Sequence, residues 1–412
     1  MLKRFSVKGF KSLDADVELP PMTVLFGPNA AGKSNFLDAL QALSRIATER
    51  TLKEAITEPI RGYPVEAFRF PAGGLAELIA KPTADFTLEA DILAGDGPQT
   101  RYRVRIAIQP SSGSLRVTDE YLTNLNLKYE SKGTPLIQVT DGIIKIHRKS
   151  KPGRPREEKL GQPHTILSDP RFSGDDYPDI ERTREEMRTW RTYYLDPRVS
   201  MRSAQNPAEV NDVGVHGENI APFLLRLKNE APKQFDAVRR ALQVIIPTVE
   251  GLAVDLDERR ATIDIRIKQE GIEYSSRIIS EGTLRVLALC AISLNPWPTS
   301  LVAFEEPENG VHPRRVERIA DLLLSLATRK PKTQVVVTTH SPLFCGAVLK
   351  KGRELKGTVG LFTVRREGSL SVVRPFSPTG PLYTDSEIAK ALSDRGDEAV
   401  FEGLLLRGML DE

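Results

Sequence analysis

A glycine-rich segment between a strand pattern and a helix pattern limits the possible folds more than any other feature of the chain. Residues 27–34 read GPNAAGKS and follow the apolar run MTVLF at 22–26. After the loop, a helical pattern places apolar side chains on one face, namely Phe36, Leu37, Leu40, Leu43 and Ile46. In this context the pattern G-x-x-x-x-G-K-[ST] lets backbone N–H groups and a helix N-terminus surround phosphate. The sequence therefore predicts a phosphate-binding loop in an α/β core with a parallel sheet.

Side chains of the same loop are suited to a nucleoside triphosphate. We expect Lys33 to reach the β- and γ-phosphates and the Ser34 hydroxyl to join the coordination shell of Mg²⁺. The alternative is a chance glycine turn. It does not explain why a strand, a lysine, a hydroxyl residue and a helix all occur at the spacing of the motif. The other predicted nucleotide contacts are Gly27, Asn29, Ala30, Ala31, Gly32 and Asn35.

Two adjacent carboxylates, Glu305 and Glu306, follow the apolar run LVAF at 301–304. Neighbouring acids at the end of a buried strand repel each other, and a cation relieves that repulsion. We expect Glu305 to hold Mg²⁺ together with Ser34, and Glu306 to act as the general base on the attacking water. The alternative is a solvated acidic turn that caps the next helix.

Two further motifs frame the acidic pair. ISEGTLR at 279–285 precedes it and predicts a capped helix that faces the core, and TTHSP at 338–342 follows it at the end of an apolar strand. Taken separately, a helix cap and one histidine carry little information. Their order along the chain, with GPNAAGKSN before them and FEEPENGVHP between them, is far more specific.

These motifs, together with the opening GFKSL at 9–13, resemble the ABC-type ATPase heads of the RecF/SMC group. In particular they resemble small RecF-like AAA-family ATPases of the OLD/Septu type, which are associated with bacterial defence and lack a nuclease domain. The resemblance covers residues 1–45 and about 190–345. It implies ATP as the substrate, Mg²⁺ as the cofactor and a P-loop NTPase head as the fold.

The resemblance also implies roles for individual residues. His340 corresponds to the switch histidine on the γ-phosphate. The ABC signature, which touches the γ-phosphate held by another subunit, corresponds to Ser280, Glu281 and Gly282, and the D-loop contains Asn309 and His312. ATP would then join two copies of the chain as a sandwich, with larger assemblies left open. Ala30 stands where such loops commonly have glycine, and we expect a negative φ that alanine tolerates.

The chain divides into four predicted segments. Residues 1–85 form the first part of the ATPase core, and 86–147, where the period is two, form an antiparallel β meander. An inserted arm and helical lobe occupy 148–245, and 246–412 complete the core. Within the insertion, the Pro- and Gly-rich residues 148–185 are expected to be a long loop or a partly disordered arm, and a helix is expected around 178–191.

Basic residues in that arm make DNA a predicted partner. Lys149, Lys151, Arg154 and Arg156 are the candidate contacts. No aromatic residues are interleaved with them, so the backbone of duplex DNA is favoured over stacked single strands. The alternative is a solvated, flexible loop.

Composition excludes several classes of protein. The net charge is +3, and the two cysteines provide neither a disulfide framework nor a zinc spacing. No apolar window is long enough for a membrane span, and the N-terminus lacks the apolar stretch of a signal peptide. We therefore expect a cytoplasmic protein without membrane contact.

Three functional hypotheses follow. The first is an ATPase that controls a separately encoded effector, a nuclease or a toxin, in antiphage defence. The second is a RecF-like ATPase of DNA repair. The third is a nucleotide-gated scaffold that hydrolyses ATP too slowly for turnover to matter. A transporter ATPase is disfavoured, because its usual D-loop differs from GVHP at 310–313.

Overall fold

One sheet of fourteen strands organises the chain in the computed structural model, which describes residues 1–57, 59–150, 153–330, 332–352, 354–355 and 357–376. The strands of this sheet are β1 (Leu2–Lys8), β2 (Leu13–Glu18), β3 (Met22–Phe26), β4 (Ala84–Leu93), β5 (Gln99–Gln109), β6 (Ser114–Asn124), β7 (Ile137–Thr140), β8 (Ile143–Ile146), β9 (Arg156–Lys159), β10 (Trp190–Tyr193), β14 (Leu301–Glu305), β15 (Gln334–Thr339), β16 (Val359–Glu367) and β17 (Leu370–Phe376). A second, three-stranded sheet consists of β11 (Val249–Asp257), β12 (Thr262–Gln269) and β13 (Ile272–Ser275).

The large sheet has a parallel half and an antiparallel half. Its order is β10-β14-β15-β3-β16-β17-β2-β1-β4-β5-β6-β7-β8-β9, and the first five strands run parallel. From β4 to β9 every neighbouring pair is antiparallel. The predicted combination of a parallel core and an antiparallel meander is confirmed, and both parts share one sheet. The division into four segments stays a prediction.

Helices cover both faces of the parallel half. The helices of the described residues are α1 (Lys33–Ile46), α2 (Leu52–Ala55), α3 (Gly74–Ala80), α4 (Pro178–Arg188), α5 (Ile220–Glu230), α6 (Pro232–Ile245), α7 (Glu281–Ser293), α8 (Val316–Thr328) and α9 (Pro342–Gly352), of which α1 lies on one face of the parallel half and α7 and α8 lie on the other. Alternate residues of β3 serve the two sides: Leu25 packs in the cluster that contains α1, and Val24 packs in the cluster that contains α7 and α8. Burial on both faces explains why β3 and β15 are apolar or buried throughout.

The segment 148–185 is mostly loop, and buried contacts hold it against the rest of the chain. It contains β9 and the start of α4, and two buried ionic groups anchor the chain between them. The Glu120 carboxylate accepts hydrogen bonds from the backbone N–H groups of Ile166 and Leu167. Buried Arg184 donates to the carbonyls of Leu167, Asp169 and Phe172. Residues 160–177 contain no helix or strand, as expected for a long loop, and α4 lies where the helix around 178–191 was predicted. The anchoring itself was not expected, because single contacts of this kind leave no local periodicity.

None of the helices within the described ranges is long and apolar enough to cross a membrane.

Candidate functional site

The phosphate loop connects β3 to α1 and depends on two glycines. Gly32 precedes the helix with φ 103° and Gly27 has φ 153°. A Cβ atom on Gly27 would lie 2.2 Å from the Val364 carbonyl oxygen, and one on Gly32 would lie 2.3 Å from Ser371 Oγ. Neither position has room for a side chain, which explains why the motif has glycine at both.

Ala30 adopts a conformation opposite to the expected one. Its φ is +61°, in the left-handed region. An L-residue in that region is less stable than glycine by roughly 1 kcal/mol. The expectation of a negative φ was wrong, because spacing within a motif does not determine the dihedral angles of each loop residue.

Lys33 and Asn35 both lie in the first turn of α1, but their side chains contact different parts of the molecule. Lys33 is buried, and its Nζ donates to the carbonyls of Gly27 at 2.7 Å and Pro28 at 2.8 Å. Burial lowers the pKa of Lys33, and the carboxylates of the acidic strand oppose that shift. Asn35 instead donates from Nδ2 to Ser12 Oγ at 3.0 Å. Its side chain is thus engaged with the connection between β1 and β2, although we predicted it as a nucleotide contact.

The acidic pair and the histidine meet beside this loop because β14, β15 and β3 are consecutive parallel neighbours. Glu305 lies opposite Thr338, and Thr339 lies opposite Phe26, the last residue before the loop. Glu306 turns out of the strand with φ 44°. Its Oε1 lies 3.0 Å from His340 Nδ1, and a carboxylate in that position is suited to accept a proton from a water molecule.

A cluster around Asp38 adds residues that the sequence reasoning missed. The buried Asp38 carboxylate accepts hydrogen bonds from Lys11 Nζ at 2.6 Å, Tyr194 OH at 2.6 Å and Arg61 Nη2 at 2.9 Å. Arg61 Nη1 lies 3.6 Å from Glu305 Oε1, so the cluster reaches the acidic strand. The sequence contained one signal for this cluster, namely an acidic residue between Leu37 and Ala39 in an otherwise apolar part of the helix pattern.

Glu308 was also missed as part of the site. Its carboxyl group is buried, accepts a hydrogen bond from Thr339 Oγ1, and leaves Oε2 without a hydrogen-bond partner among the described residues. Burial raises the pKa of Glu308 to about 7. Thr339 Oγ1 also accepts from the Ser341 N–H at 2.9 Å, so Glu308 helps to fix the turn that presents His340.

The signature residues lie at the start of α7. Ser280 is its N-cap and accepts a hydrogen bond from the Thr283 N–H, while Glu281 is exposed. A Cβ atom on Gly282 would lie 2.4 Å from the Gly310 carbonyl oxygen, so the signature packs against the segment predicted as the D-loop. Within the described ranges no hydrogen bond or ion pair joins Ser280 to the phosphate loop.

The D-loop candidates are exposed. Asn309 donates from its backbone N–H to the Glu306 carbonyl at 3.0 Å, in a turn that continues through Gly310 with φ 72°. His312 Nδ1 accepts a hydrogen bond from the Arg314 N–H at 3.3 Å and so caps the 3₁₀ turn Pro313–Arg315. Neither residue has a described contact with the Glu306 or His340 side chain, and their role at a dimer interface stays a prediction.

A model for the family described as "AAA domain, putative AbiEii toxin, Type IV TA system" matches residues 22–346, which is well over half of the chain. The chain belongs to this family. Membership confirms the relationship to AAA-family, RecF/SMC-like P-loop ATPases that the motifs indicated, and ATP binding and hydrolysis are the activity expected of the family. No curated protein matches the chain.

Solved structures of SMC heads are similar at low sequence identity. The SMC head domain from Thermotoga maritima is 16% identical, with 91% of this chain and 99% of that chain covered and a TM-score of 0.43. The Pyrococcus furiosus Smc head domain with an extended coiled coil, bound to the C-terminal domain of ScpA, is 12% identical, with 95% and 99% covered and a TM-score of 0.49. Both scores lie below 0.5, so the assignment rests on the family match and the geometry of the site.

The residues of this family member fit Mg²⁺ bound together with a nucleotide. Ser34 provides a hydroxyl in the first turn of α1, and Glu305 provides a partly exposed carboxylate at the end of β14. No group of three or more potential ligand side chains occurs in the part of the chain that the structure describes. One hydroxyl and one carboxylate are nevertheless enough, since Mg²⁺ at such sites keeps several waters and binds the phosphates.

The predicted DNA contacts differ in their surroundings. Lys149 and Arg154 are exposed. The Arg156 guanidinium is engaged, because it pairs with Glu158 at 3.0 Å and lies 5.1 Å from the centre of the Phe172 ring. Lys151 lies outside the described residues.

We predict that Glu308→Gln reduces the pH dependence of stability. In the wild type the native Glu308 carboxyl binds its proton up to a pH of about 7, whereas its ordinary pKa is 4.5. Between these values the native state holds more protons than the unfolded state, so the free energy of unfolding falls as the pH rises. The fall attributable to this group is up to roughly 3 kcal/mol.

Urea unfolding at a pH of about 5 and of about 8 measures this difference. Glu317→Gln, on the exposed side of α8, is the control that should retain the wild-type pH dependence. Equal pH dependence in the wild type and in Glu308→Gln would contradict the assignment.

Proposed function

We propose that the chain hydrolyses ATP, with Glu306 as the general base and His340 as the residue that orients it. The 3.0 Å contact between Glu306 Oε1 and His340 Nδ1 carries this proposal, because the two residues directly follow β14 and β15 at the sheet edge where β3 enters the phosphate loop. Glu306 accepts the proton of the water that attacks the γ-phosphorus. Lys33 faces the growing negative charge on the phosphate.

Ser34 and Glu305 are proposed to hold the Mg²⁺ of the ATP complex, which supplies charge neutralisation for the β- and γ-phosphates. In the protein alone, Arg61 lies 3.6 Å from Glu305 and partly balances its charge. The remaining loop residues proposed to bind phosphate through their backbone N–H groups are Asn29, Ala30, Ala31 and Gly32.

We propose that ATP joins two copies of the chain. The α7 N-terminus, with Ser280 and Glu281, and the turn with Asn309 and His312 are exposed. Gly282 packs on Gly310, so these two exposed segments form one continuous surface. A γ-phosphate held by a second copy would accept hydrogen bonds from backbone N–H groups at this helix start.

The family description names a putative toxin of a type IV toxin–antitoxin system. On that basis we propose that the ATPase regulates a separately encoded effector, a nuclease or a toxin, in antiphage defence in the cytoplasm. DNA is the proposed trigger or target, and the exposed Lys149 and Arg154 are its contacts.

Replacing Glu306 with Gln tests the catalytic proposal. We expect ATP binding to persist, turnover to fall by 10²-fold or more, and the dimer to accumulate with ATP, because the amide keeps the shape of the side chain but cannot take the proton. Phosphate release and light scattering measure turnover and dimerisation. Glu317→Gln is the matched control, and unchanged turnover in Glu306→Gln would exclude Glu306 as the base.

The DNA proposal predicts a salt-sensitive interaction. Changing both Lys149 and Arg154 to Ala should weaken binding to duplex DNA and lower the slope of log affinity against log salt by about 2, since each phosphate contact contributes roughly 0.9. Fluorescence polarisation with a labelled duplex measures the slope. Lys233→Ala, an exposed lysine at the start of α6, serves as the control. An identical slope in wild type and double variant would argue against this surface.

A further inference from the structure

The hairpin of β16 and β17 lies beyond residue 346, where the family match ends, yet it borders the phosphate loop. β16 pairs in parallel with β3, and Thr363 lies opposite Phe26, the residue before the loop. β17 pairs with the start of β2 through Ser371 and Leu13. The hairpin therefore lies in the sheet between β3, which leads into the phosphate loop, and β2.

Both constrained glycines of the loop abut this hairpin. The carbonyl oxygen of Val364, in β16, occupies the space that a side chain on Gly27 would need, and Ser371, in β17, does the same for Gly32. The loop thus takes its shape against residues that come more than 330 positions later in the chain. These contacts leave room only for glycine at the two positions, and glycine also tolerates the positive φ found there.

A chain of hydroxyl groups extends the contact to the first turn of α1. Ser371 is fully buried, and its Oγ lies 2.8 Å from Ser12 Oγ. Ser12 Oγ accepts a hydrogen bond from Asn35 Nδ2 at 3.0 Å, and the Ser371 N–H donates to the Ser12 carbonyl at 2.7 Å. Arg366 Nη1 lies 3.5 Å from the same Ser371 hydroxyl.

We infer that Ser371 is a positioning residue of the nucleotide site: through Ser12 and Asn35 it holds the phosphate loop and the first turn of α1 in the conformation that binds ATP. The inference rests on the proposed function only in taking ATP as the ligand. Without the Ser371 hydroxyl, Ser12 loses one partner and the loop loses one constraint. ATP binding must then also order the loop, and the entropic cost of this ordering raises the Kd.

The test is a titration of the full chain with a fluorescent ATP analogue carrying a methylanthraniloyl group, in the wild type, Ser371→Ala, Ser12→Ala and the double variant. Each single change should raise the Kd by about five- to tenfold, the range that one neutral hydrogen bond supports. Because the two hydroxyls act through one network, the double variant should bind about as weakly as either single variant. The kcat at saturating ATP should stay within about threefold, because Glu306 and His340 lie outside the network.

Arg374→Ala is the matched control. It removes the ion pair with Glu367 on the same hairpin, at 2.6 Å, without touching the loop glycines, and should leave the Kd within about twofold of the wild type. Wild-type affinity in Ser371→Ala, or multiplying effects in the double variant, would overturn the inference while the proposed function stands. Failure of the wild type to bind the analogue would overturn both, and binding without turnover would overturn only the catalytic proposal.

Discussion

Parallel pairing of three strands is the constraint on which the rest of the site depends. β14 lies beside β15, and β15 lies beside β3, in a register that places Glu305 opposite Thr338 and Thr339 opposite Phe26. The carboxyl ends of all three strands consequently meet at one edge of the sheet. The phosphate loop, the acidic pair and His340 each follow one of these ends, so a change in register would separate them.

Polar and charged groups contact one another along this edge. The Lys33 ammonium group is buried against loop carbonyls and faces the carboxylates of the acidic strand. Glu306 contacts His340, Glu305 faces Arg61, and the buried Glu308 holds a proton up to a pH of about 7. The proposed triphosphate and Mg²⁺ would add charges of both signs, and the cation would stabilise the adjacent carboxylates at the end of β14.

Local sequence patterns predicted the parts of this site that depend on short-range spacing. The strand, loop and helix around 22–46 and the strands that end at Glu305 and Thr339 were predicted from their periodicity. The positive φ of Ala30, the anchoring of 148–185 and the clustering of Arg61 with Asp38 were not. Arg61 and Asp38 are 23 positions apart, and Glu120 and Ile166 are 46 positions apart. An apolar or polar period contains no information about such partners, or about the dihedral angles of a single loop residue.

The most direct test of the account is the release of phosphate from ATP by the purified chain and by Lys33→Met, with Mg²⁺ and with excess chelator. Lys33 is the only lysine within the motif, and methionine keeps its length without its charge. If Lys33 and Mg²⁺ act as proposed, turnover by the wild type requires Mg²⁺ and falls by at least about 10²-fold in the variant. Turnover that persists at the wild-type rate in Lys33→Met, or without Mg²⁺, would contradict this proposal.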